Sequence, residues 1–228
     1  MKFLNYLNFQ INFPQLNEQN TKHLDLGSGT NLRNPFGAEK LVGTDNSHFV
    51  MNLEGSSCLV FVDLTKPLPF SDSIFSSISA FDLLEHIPRW ERNSKGDVIY
   101  PFIQLMSEIH RILRPNGLFT AVTPAYPSSQ SFQDPTHINF ITESTVNYFV
   151  GENSPAKNIG YGFQGEYELL HQSWLRGAGP FEDSKNHLVL GFQNRMQLIN
   201  NLRFIKRLTK LAFIKGNTHL LWVLKAIK

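Results

Sequence analysis

A glycine-rich turn near the start of the chain follows a short apolar strand, and it constrains the fold more than any other feature. The run His23-Leu24-Asp25-Leu26-Gly27-Ser28-Gly29-Thr30 places two leucines at the end of a buried strand. Gly27 and Gly29 then allow the backbone to turn sharply and to approach a ligand closely. A second strand, Lys40-Leu41-Val42-Gly43-Thr44, ends at Asp45. An acid at that point of a βαβ unit can accept both ribose hydroxyls, so the pattern predicts a nucleoside-cofactor site.

Short apolar strands alternate with helical segments through the first 125 residues, which predicts an α/β fold with a parallel sheet and crossover helices. Apolar residues at spacings of three and four predict a helix over 98–113. A long loop rich in Pro, Ser, Asn and Gly is expected over 124–163 with a helix near 142–150, and an amphipathic helix is expected over 195–214. Further strands are predicted at residues 58–62, 76–81, 118–122, 166–175 and 219–224.

The ends of the first four predicted strands carry a glycine or an aspartate. These residues are Gly27, Asp45, Asp63 and Asp82. In open α/β sheets ligands bind outside the carboxyl ends of the strands, so four such residues indicate one crevice. For Asp63 and Asp82 the alternative interpretation is helix N-capping, which aspartate does routinely, and the side chain of Asp82 could instead only brace its turn.

Two common nucleotide motifs are missing from the glycine-rich turn. A dinucleotide fingerprint would carry a third glycine where the chain has Leu32, and no Gly-Lys-Ser/Thr run of a phosphate loop follows. A nicotinamide oxidoreductase is therefore disfavoured. The run over residues 25–30 resembles the first motif of class I S-adenosylmethionine-dependent methyltransferases, although Asn31 stands where the family usually has another glycine.

The resemblance to class I methyltransferases extends over about residues 21–125. Residues 62–70 resemble the family's adenine-binding segment, residues 81–87 the segment after its fourth strand, and residues 108–117 the helix and turn before its fifth strand. The resemblance implies a Rossmann-like seven-stranded, mostly parallel sheet with helices on both faces and an antiparallel last strand. It also implies S-adenosyl-L-methionine as the cofactor.

By the same resemblance, the cofactor would be held at the carboxyl ends of the strands. Asp45 would accept from the ribose hydroxyls, Asp63 would accept from the adenine amine, and Leu64 would pack on the adenine ring. Phe81 would line the floor near the sulfonium. The glycine-rich turn supplies the other implied cofactor-binding residues, which are Asp25, Gly27, Ser28 and Gly29.

Methyl transfer from a sulfonium is an in-line displacement that depends on orientation and, for an oxygen or nitrogen nucleophile, on a base with a pKa near neutrality. His137, in the loop after the fifth strand, is the first candidate base, with Asp134 to orient its ring. The alternative is a histidine that only ties the loop to the body. His86 is the second candidate, and it could instead pair locally with Glu85. No acid-rich cluster suggests a catalytic metal, so none is predicted.

The 228 residues predict a single methyltransferase domain, 1–228. Within it we expect an N-terminal arm over 1–20, a cofactor-binding half over 21–125, and a half over 126–228 with the substrate loop, the last strands and a basic helix. Cys58 is the single cysteine, which excludes an internal disulfide and favours a reducing, cytoplasmic setting. No apolar run approaches the roughly 20 residues that span a bilayer.

Charge is distributed unevenly along the chain. Residues 1–183 carry 12 basic and 19 acidic side chains, a net charge of −7, whereas residues 184–228 carry 9 basic side chains and no acid. Such asymmetry is expected either from a basic segment that packs on an acidic body or from a segment that contacts an anionic partner through residues 195–214.

The loop at about residues 130–149 resembles that of methyltransferases found with bacterial surface-polysaccharide biosynthesis, which implies a small-molecule or glycan acceptor. One alternative is an RNA or protein methyltransferase that uses the basic helix, whose affinity would fall steeply with salt. Another is a non-catalytic scaffold whose helix docks on an anionic surface. Nucleic acid is the less favoured partner, and the sequence names neither the methylated atom nor the oligomeric state.

Overall fold

The computed structural model describes residues 20–29, 32–46, 57–175 and 218–228 of the chain. These residues form one seven-stranded sheet and a two-stranded antiparallel hairpin. The hairpin consists of β5 (Glu91–Arg92) and β6 (Val98–Ile99). The strands of the main sheet are β1 (Lys22–Leu26), β2 (Lys40–Asp45), β3 (Ser57–Phe61), β4 (Phe75–Phe81), β7 (Leu113–Pro124), β8 (Tyr167–Leu175) and β9 (His219–Ala226).

The strands of the main sheet lie in the order β3-β2-β1-β4-β7-β9-β8. The first five of these pair in parallel, and β9 is antiparallel to both of its neighbours, β7 and β8. The predicted seven-stranded, mostly parallel sheet with an antiparallel last strand is therefore confirmed. Because all five parallel strands end at the same edge, their carboxyl ends bring the first four predicted polar positions into one region.

The longest helix among the described residues is α1 (Pro101–Ile112), which precedes β7. Pro101 occupies its first position, where a missing N–H costs nothing. The prediction of a helix from residue 98 is wrong at its start, because Val98 and Ile99 pair with β5 instead. The apolar face of α1 is buried in the core and consists of Phe102, Leu105, Met106, Ile109 and Ile112.

Short helical turns occupy the connection between β7 and β8. They are α2 (Gln130–Gln133), α3 (Pro155–Asn158) and a 3₁₀ turn over Thr145–Tyr148, which stands where a helix was predicted near 142–150. Another 3₁₀ turn, Leu84–His86, follows β4. The predicted basic helix at 195–214 and most of the predicted N-terminal arm lie outside the described residues. No helix in the described part of the chain is long and apolar enough to cross a bilayer.

The two connections that flank the glycine-rich turn and Asp63 contain no helix in their described parts. Residues 32–39 lead into β2 and residues 62–74 lead into β4, both through turns. The second of these is fastened to α1 by Arg111, which donates to the carbonyls of Phe70 and Leu68 at 2.8 and 3.1 Å. The connections that leave the carboxyl edge after β1 and β3 are thus irregular in their described parts, and α1 holds the second of them in place through Arg111.

Candidate functional site

The glycine-rich turn leaves β1 through two residues with left-handed backbone. Gly27 has φ +60° and Gly29 has φ +55°. A Cβ added to Gly27 would lie 2.8 Å from Cδ1 of Leu83, whereas one added to Gly29 would meet no described atom within 4 Å. The left-handed backbone therefore favours glycine at both positions; a side chain at residue 27 would also crowd Leu83, whereas residue 29 borders open space at the edge of the sheet.

The turn is tied to the end of β2 by backbone hydrogen bonds. The N–H of Gly29 donates to Oδ2 of Asp45 at 2.8 Å, and the N–H of Ser28 donates to the carbonyl of Thr44 at 2.9 Å. Ser28 itself is buried, and a Cβ added to Gly43 would lie only 2.6 Å from its Oγ. The structure therefore brings Asp45 and the glycine backbone together, as the nucleoside-site prediction requires.

Asp25 is buried and braces the turn from beneath. Ser79 donates its hydroxyl to Oδ1 at 2.7 Å, and the N–H of Arg33 donates to Oδ2 at 2.8 Å. Burial raises the pKa of the carboxyl to about 6, against the opposing effects of Arg33 and Ser79. Both oxygens accept from protein donors and the side chain is 0% exposed, so Asp25 contributes to this region by positioning the turn.

Arg33, which is not among the residues predicted from the sequence, links the glycine turn to β4. Its guanidinium lies 4.9 Å from the centroid of the Phe81 ring, and Nη1 donates to the Phe81 carbonyl at 3.2 Å. Its Nε lies 4.0 Å from Oδ2 of Asp25. Phe81 therefore stands at the predicted edge with Arg33 against its ring. No motif marks this arginine, because its role arises only when β1 and β4 pair.

Asp63 and Leu64 lie just beyond β3. Oδ1 of Asp63 accepts from the N–H of Thr65 at 2.9 Å and from its hydroxyl at 2.7 Å. These bonds lower the pKa of the exposed carboxyl. Asp63 thus braces the turn after β3, where no helix follows for it to cap, and both of these bonds fall on one oxygen. Leu64 is half-buried against the core.

Asp82 stands at the end of β4 in a left-handed conformation, with φ +49°. Its N–H donates to the carbonyl of Val122 at 2.8 Å, and Oδ1 lies 3.2 Å from Nε2 of His219 on β9. The side chain is exposed and caps no helix. The bracing role considered for Asp82 is the one that the geometry supports.

The two predicted catalytic histidines meet at the same edge. The rings of His86 and His137 contact edge to face, with centroids 4.8 Å apart. Nδ1 of His137 lies 3.1 Å from the carbonyl of Gln130, and because a carbonyl only accepts, this nitrogen carries the proton. In the neutral ring the lone pair is then on Nε2.

The tautomer of His86 follows from a chain of hydrogen bonds. Thr136 donates its single hydroxyl proton to Oδ1 of Asp134 at 2.7 Å, so its oxygen accepts from Nδ1 of His86 at 2.9 Å. Nε2 of His86 is again the lone-pair nitrogen. Burial, followed by the neighbouring His137, lowers the pKa of this imidazole.

The geometry corrects the predicted role of Asp134. Its Oδ2 is 4.0 Å from Nε2 of His137, beyond hydrogen-bond distance, so the carbonyl of Gln130 orients that ring instead. Asp134 acts on His86 through Thr136. The exposed carboxyl of Asp134 has a lowered pKa, chiefly because of the backbone N–H of Thr136.

Glu85 does not pair with His86 in the way that the sequence analysis considered. Its side chain turns inward, where Oε2 accepts from the hydroxyl of Thr123 at 2.9 Å. Burial, together with the charges of Asp82 and Asp134, raises its pKa to about 8. His86, the next residue of the 3₁₀ turn, is half-buried, and its hydrogen bond goes to Thr136 and not to Glu85.

Comparisons with known proteins agree with this architecture. No protein-family model and no curated protein matches the chain. Among solved structures, a SAM-dependent methyltransferase from Archaeoglobus fulgidus is 16% identical with a TM-score of 0.58, over 99% of this chain and 94% of that one. An S-adenosylmethionine-dependent methyltransferase from Mesorhizobium loti is 13% identical with a TM-score of 0.52, over 93% of each chain.

A third similar structure is the complex between the Haloferax volcanii Trm112 methyltransferase activator and a proposed methyltransferase. It is 14% identical with a TM-score of 0.53, over 100% of this chain and 89% of that one. At these identities the comparisons establish the fold. The chain has the Rossmann-like α/β fold of S-adenosylmethionine-dependent methyltransferases.

Proposed function

We propose that this protein is an S-adenosylmethionine-dependent methyltransferase that acts on a small-molecule or glycan acceptor. The observation that carries the proposal is the glycine turn closed onto the end of β2, where Gly29 donates to Asp45 at 2.8 Å. In this fold, the turn after β1 and the acid after β2 are the positions that meet a nucleoside. The likeness to solved methyltransferases supports the same cofactor.

The residues at the edge fit an adenosyl group with a methionine tail. Asp45 would accept from the ribose hydroxyls, since a carboxylate has lone pairs beyond the one that Gly29 uses. Asp63 would accept from the adenine amine, and Leu64 would lie against the ring. Gly27 and Gly29 would present backbone to the methionine end, with Ser28, Asp25 and Arg33 holding that backbone in place.

When bound, S-adenosylmethionine supplies an electrophilic methyl group on a sulfonium. The chain has to orient an acceptor oxygen or nitrogen in line with it and remove the acceptor's proton. Nε2 of His137 is the proposed receiver of that proton, and Nε2 of His86 is the second candidate. Both nitrogens carry their lone pairs in the neutral state because each Nδ1 donates to the protein or is paired through Thr136.

Exposed apolar side chains in the loop after β7 support an acceptor of modest size bound at this edge. Phe132 and Phe140 lie with ring centroids 4.9 Å apart, and both are exposed. Sugar rings and other small acceptors present apolar faces that pack on aromatic side chains. We further propose that the protein has a role in polysaccharide biosynthesis, works in the cytoplasm and associates with a protein partner. Contact with an anionic surface through 195–214 would be a further part of this proposal.

Calorimetric titration with S-adenosylhomocysteine, with NAD as the control ligand, tests the cofactor assignment. We expect micromolar binding of S-adenosylhomocysteine and none of NAD. Absence of S-adenosylhomocysteine binding, or binding of NAD alone, would refute the proposal.

The variant Asp45→Ala tests the position of the cofactor. We expect affinity for S-adenosylhomocysteine to fall about 10- to 100-fold, since one or two charge-assisted hydrogen bonds are lost. Glu39→Ala is the matched control, because this exposed acid precedes the opposite end of the same strand. Equal affinity in the Asp45 and Glu39 variants would contradict the assignment.

A further inference from the structure

Three side chains at the carboxyl edge converge on one point. Glu85, His86 and His137 each offer a ligand atom, and these atoms lie within 4.8 Å of one another. The convergence is built into the backbone, because the N–H groups of Ile138 and Asn139 both donate to the carbonyl of Glu85 at 2.9 Å. The loop after β7 is thereby fixed to the 3₁₀ turn after β4.

Each of the three side chains is held from its far side. Gln130 accepts from Nδ1 of His137, and Thr136 accepts from Nδ1 of His86. Thr123 donates to Oε2 of Glu85. These bonds engage Nδ1 of each ring and Oε2 of the carboxyl, and they leave Nε2 of each ring and Oε1 of Glu85 for a ligand. Metal-binding histidines almost always donate their other ring N–H in this way, which fixes the ring and the lone pair.

The inner oxygen of Glu85 lacks a partner in the described part of the chain. Oε1 is buried without a hydrogen bond, and the residue is 1% exposed. A buried polar atom left unsatisfied costs free energy, so native proteins rarely keep one without a reason. A cation bound at Oε1 would satisfy it.

We propose that Glu85, His86 and His137 bind a divalent first-row transition-metal cation through Oε1 and the two Nε2 atoms. Two imidazoles and one carboxylate favour Zn²⁺, Co²⁺, Mn²⁺ or Fe²⁺ over Mg²⁺ and Ca²⁺, which prefer oxygen ligands throughout. Bonds of roughly 2 Å set ligand atoms roughly 3 Å apart, so the three side chains draw together on binding by rotation of the two half-buried rings. This differs from the expectation, drawn from the sequence, that the chain has no metal site.

The cation site stands independently of the methyl acceptor, and it deepens the proposed function in one respect. Three protein ligands leave coordination positions open. An acceptor hydroxyl bound there would lose its proton more readily, because the cation stabilises the oxyanion. With the cation bound, neither Nε2 can accept a proton, so the general-base role proposed above for His137 and His86 belongs to the cation-free protein. In the cation-bound protein the cation lowers the pKa of the acceptor hydroxyl, and the proton passes to solvent.

Titration of the untagged, chelator-treated full chain with CoCl₂ tests the site, because coordinated Co²⁺ absorbs visible light in a way that reports its ligands. We expect one equivalent to bind and ZnCl₂ to displace it. In Glu85→Gln, His86→Gln and His137→Gln the Co²⁺ affinity should fall by at least about 10-fold. His171→Gln, on β8, is the matched control and should bind Co²⁺ as the unaltered chain does.

Thr136→Val is the second variant, because it removes the hydroxyl that links His86 to Asp134 on an exposed loop residue and leaves the three proposed ligands in place. Loss of such an outer partner typically lowers metal affinity about 10- to 100-fold. If Glu85→Gln fails to fold by circular dichroism, Thr136→Val and His137→Gln decide. Equal Co²⁺ affinity in all folded variants, or no Co²⁺ absorption in the unaltered chain, would overturn the proposal.

The same preparations are titrated with S-adenosylhomocysteine, so that the two proposals fail separately. If the unaltered chain binds S-adenosylhomocysteine but not Co²⁺, the cation site is refuted and the proposed methyltransferase function is not. If the unaltered chain binds Co²⁺ but not S-adenosylhomocysteine, the proposed methyltransferase function is refuted and the cation site is not.

Discussion

His23 is a buried imidazole within the sheet, and its protonation state is fixed by its neighbours. Ser79 donates to Asp25, so the oxygen of Ser79 accepts from Nε2 of His23 at 2.9 Å. Nδ1 then accepts from the hydroxyl of Ser77 at 2.8 Å. Burial lowers the pKa of His23 to about 3.

This burial predicts a loss of stability in acid. A histidine whose pKa is lower in the folded state contributes stability above its unfolded pKa of about 6.5 and loses it as the pH falls toward the folded value. Between pH 6.5 and 4.5 His23 should cost roughly 2 to 3 kcal/mol of unfolding free energy, at about 1.4 kcal/mol per pH unit. Urea denaturation of the unaltered chain and of His23→Gln over this range measures it, and the variant should show the shallower dependence.

Asp25 acts in the opposite direction. Its pKa is raised to about 6 in the folded state, so its contribution to stability falls as the pH rises from about 4 to 6. Asp25→Asn should therefore lose stability more steeply in acid than the unaltered chain. Parallel stability curves for His23→Gln, Asp25→Asn and the unaltered chain would contradict both assignments.

His137→Ala separates a catalytic from a structural role. General-base assistance contributes typically 100- to 10,000-fold, so turnover should fall within about that range while S-adenosylhomocysteine affinity is unchanged. Turnover is measured once an acceptor is identified, and affinity by calorimetry. If the variant loses cofactor binding, His137 holds the loop and takes no proton.

At the scale of elements, α1 secures the segment that follows Asp63. Arg111 donates to Glu108 at 2.7 Å and to Asp72 at 2.6 Å, and Glu108 accepts from the N–H of Leu68 at 2.8 Å. The guanidinium thereby holds residues 67–72 in place against α1. These residues lead from the proposed adenine position to β4. Glu108 keeps a lowered pKa through its bond with Arg111.

Arg111→Met should lower the unfolding free energy by about 1 to 3 kcal/mol, because it removes the hydrogen bonds that Arg111 donates to Glu108 and to two backbone carbonyls. The matched control is Lys66→Met, whose exposed amine lies 3.8 Å from Glu91. Exposed ion pairs of this kind contribute about 0 to 1 kcal/mol. Urea denaturation compares the two, and an equal loss in both variants would contradict the role of Arg111.

Much of this architecture follows from the sequence because its signals are local. The apolar runs that end at Gly27, Asp45 and Asp82 predict β1, β2 and β4 within a residue. The start of α1 does not follow from the sequence, because Val98 and Ile99 pair with β5 in a short hairpin, and the spacing of apolar residues does not predict this pairing. β7 is longer than predicted for a similar reason, since Leu113 already pairs with Phe75.

The site is predictable to the extent that it lies in a backbone motif. Gly27, Gly29 and Asp45 are fixed by the turn and the strand end. The contacts of Arg33 and the inward orientation of Glu85 depend on residues far apart in the chain, namely residue 33 with residue 81 and residue 85 with residue 123. Such contacts leave no mark on local spacing.

At the scale of the whole molecule, β9 completes the sheet between β7 and β8. Trp222 at its centre is fully buried, opposite Ala121 on one side and Gln172 on the other. Its indole N–H is buried without a hydrogen-bond partner among the described residues. The indole therefore stabilises the folded state through packing, and its unpaired N–H reduces that stabilisation.

Trp222→Ala should lower the unfolding free energy by about 3 to 5 kcal/mol, the usual cost of removing a buried aromatic side chain. Trp222→Phe should cost less than about 2 kcal/mol, because it keeps an aromatic ring and removes the unsatisfied N–H. Denaturant titration of both variants measures the difference. A phenylalanine variant as unstable as the alanine variant would show that the indole N–H has a partner.

The position of β9 has a consequence for the making of the protein. A ribosome releases residues 113–124 and 167–175 well before residues 219–226, so the nascent chain holds two strands whose shared neighbour has yet to be synthesised. Unpaired strand edges of this kind recruit other chains. Expression yield should therefore depend on the time between translation of β8 and β9, and slower elongation through the intervening codons should favour aggregation over folding.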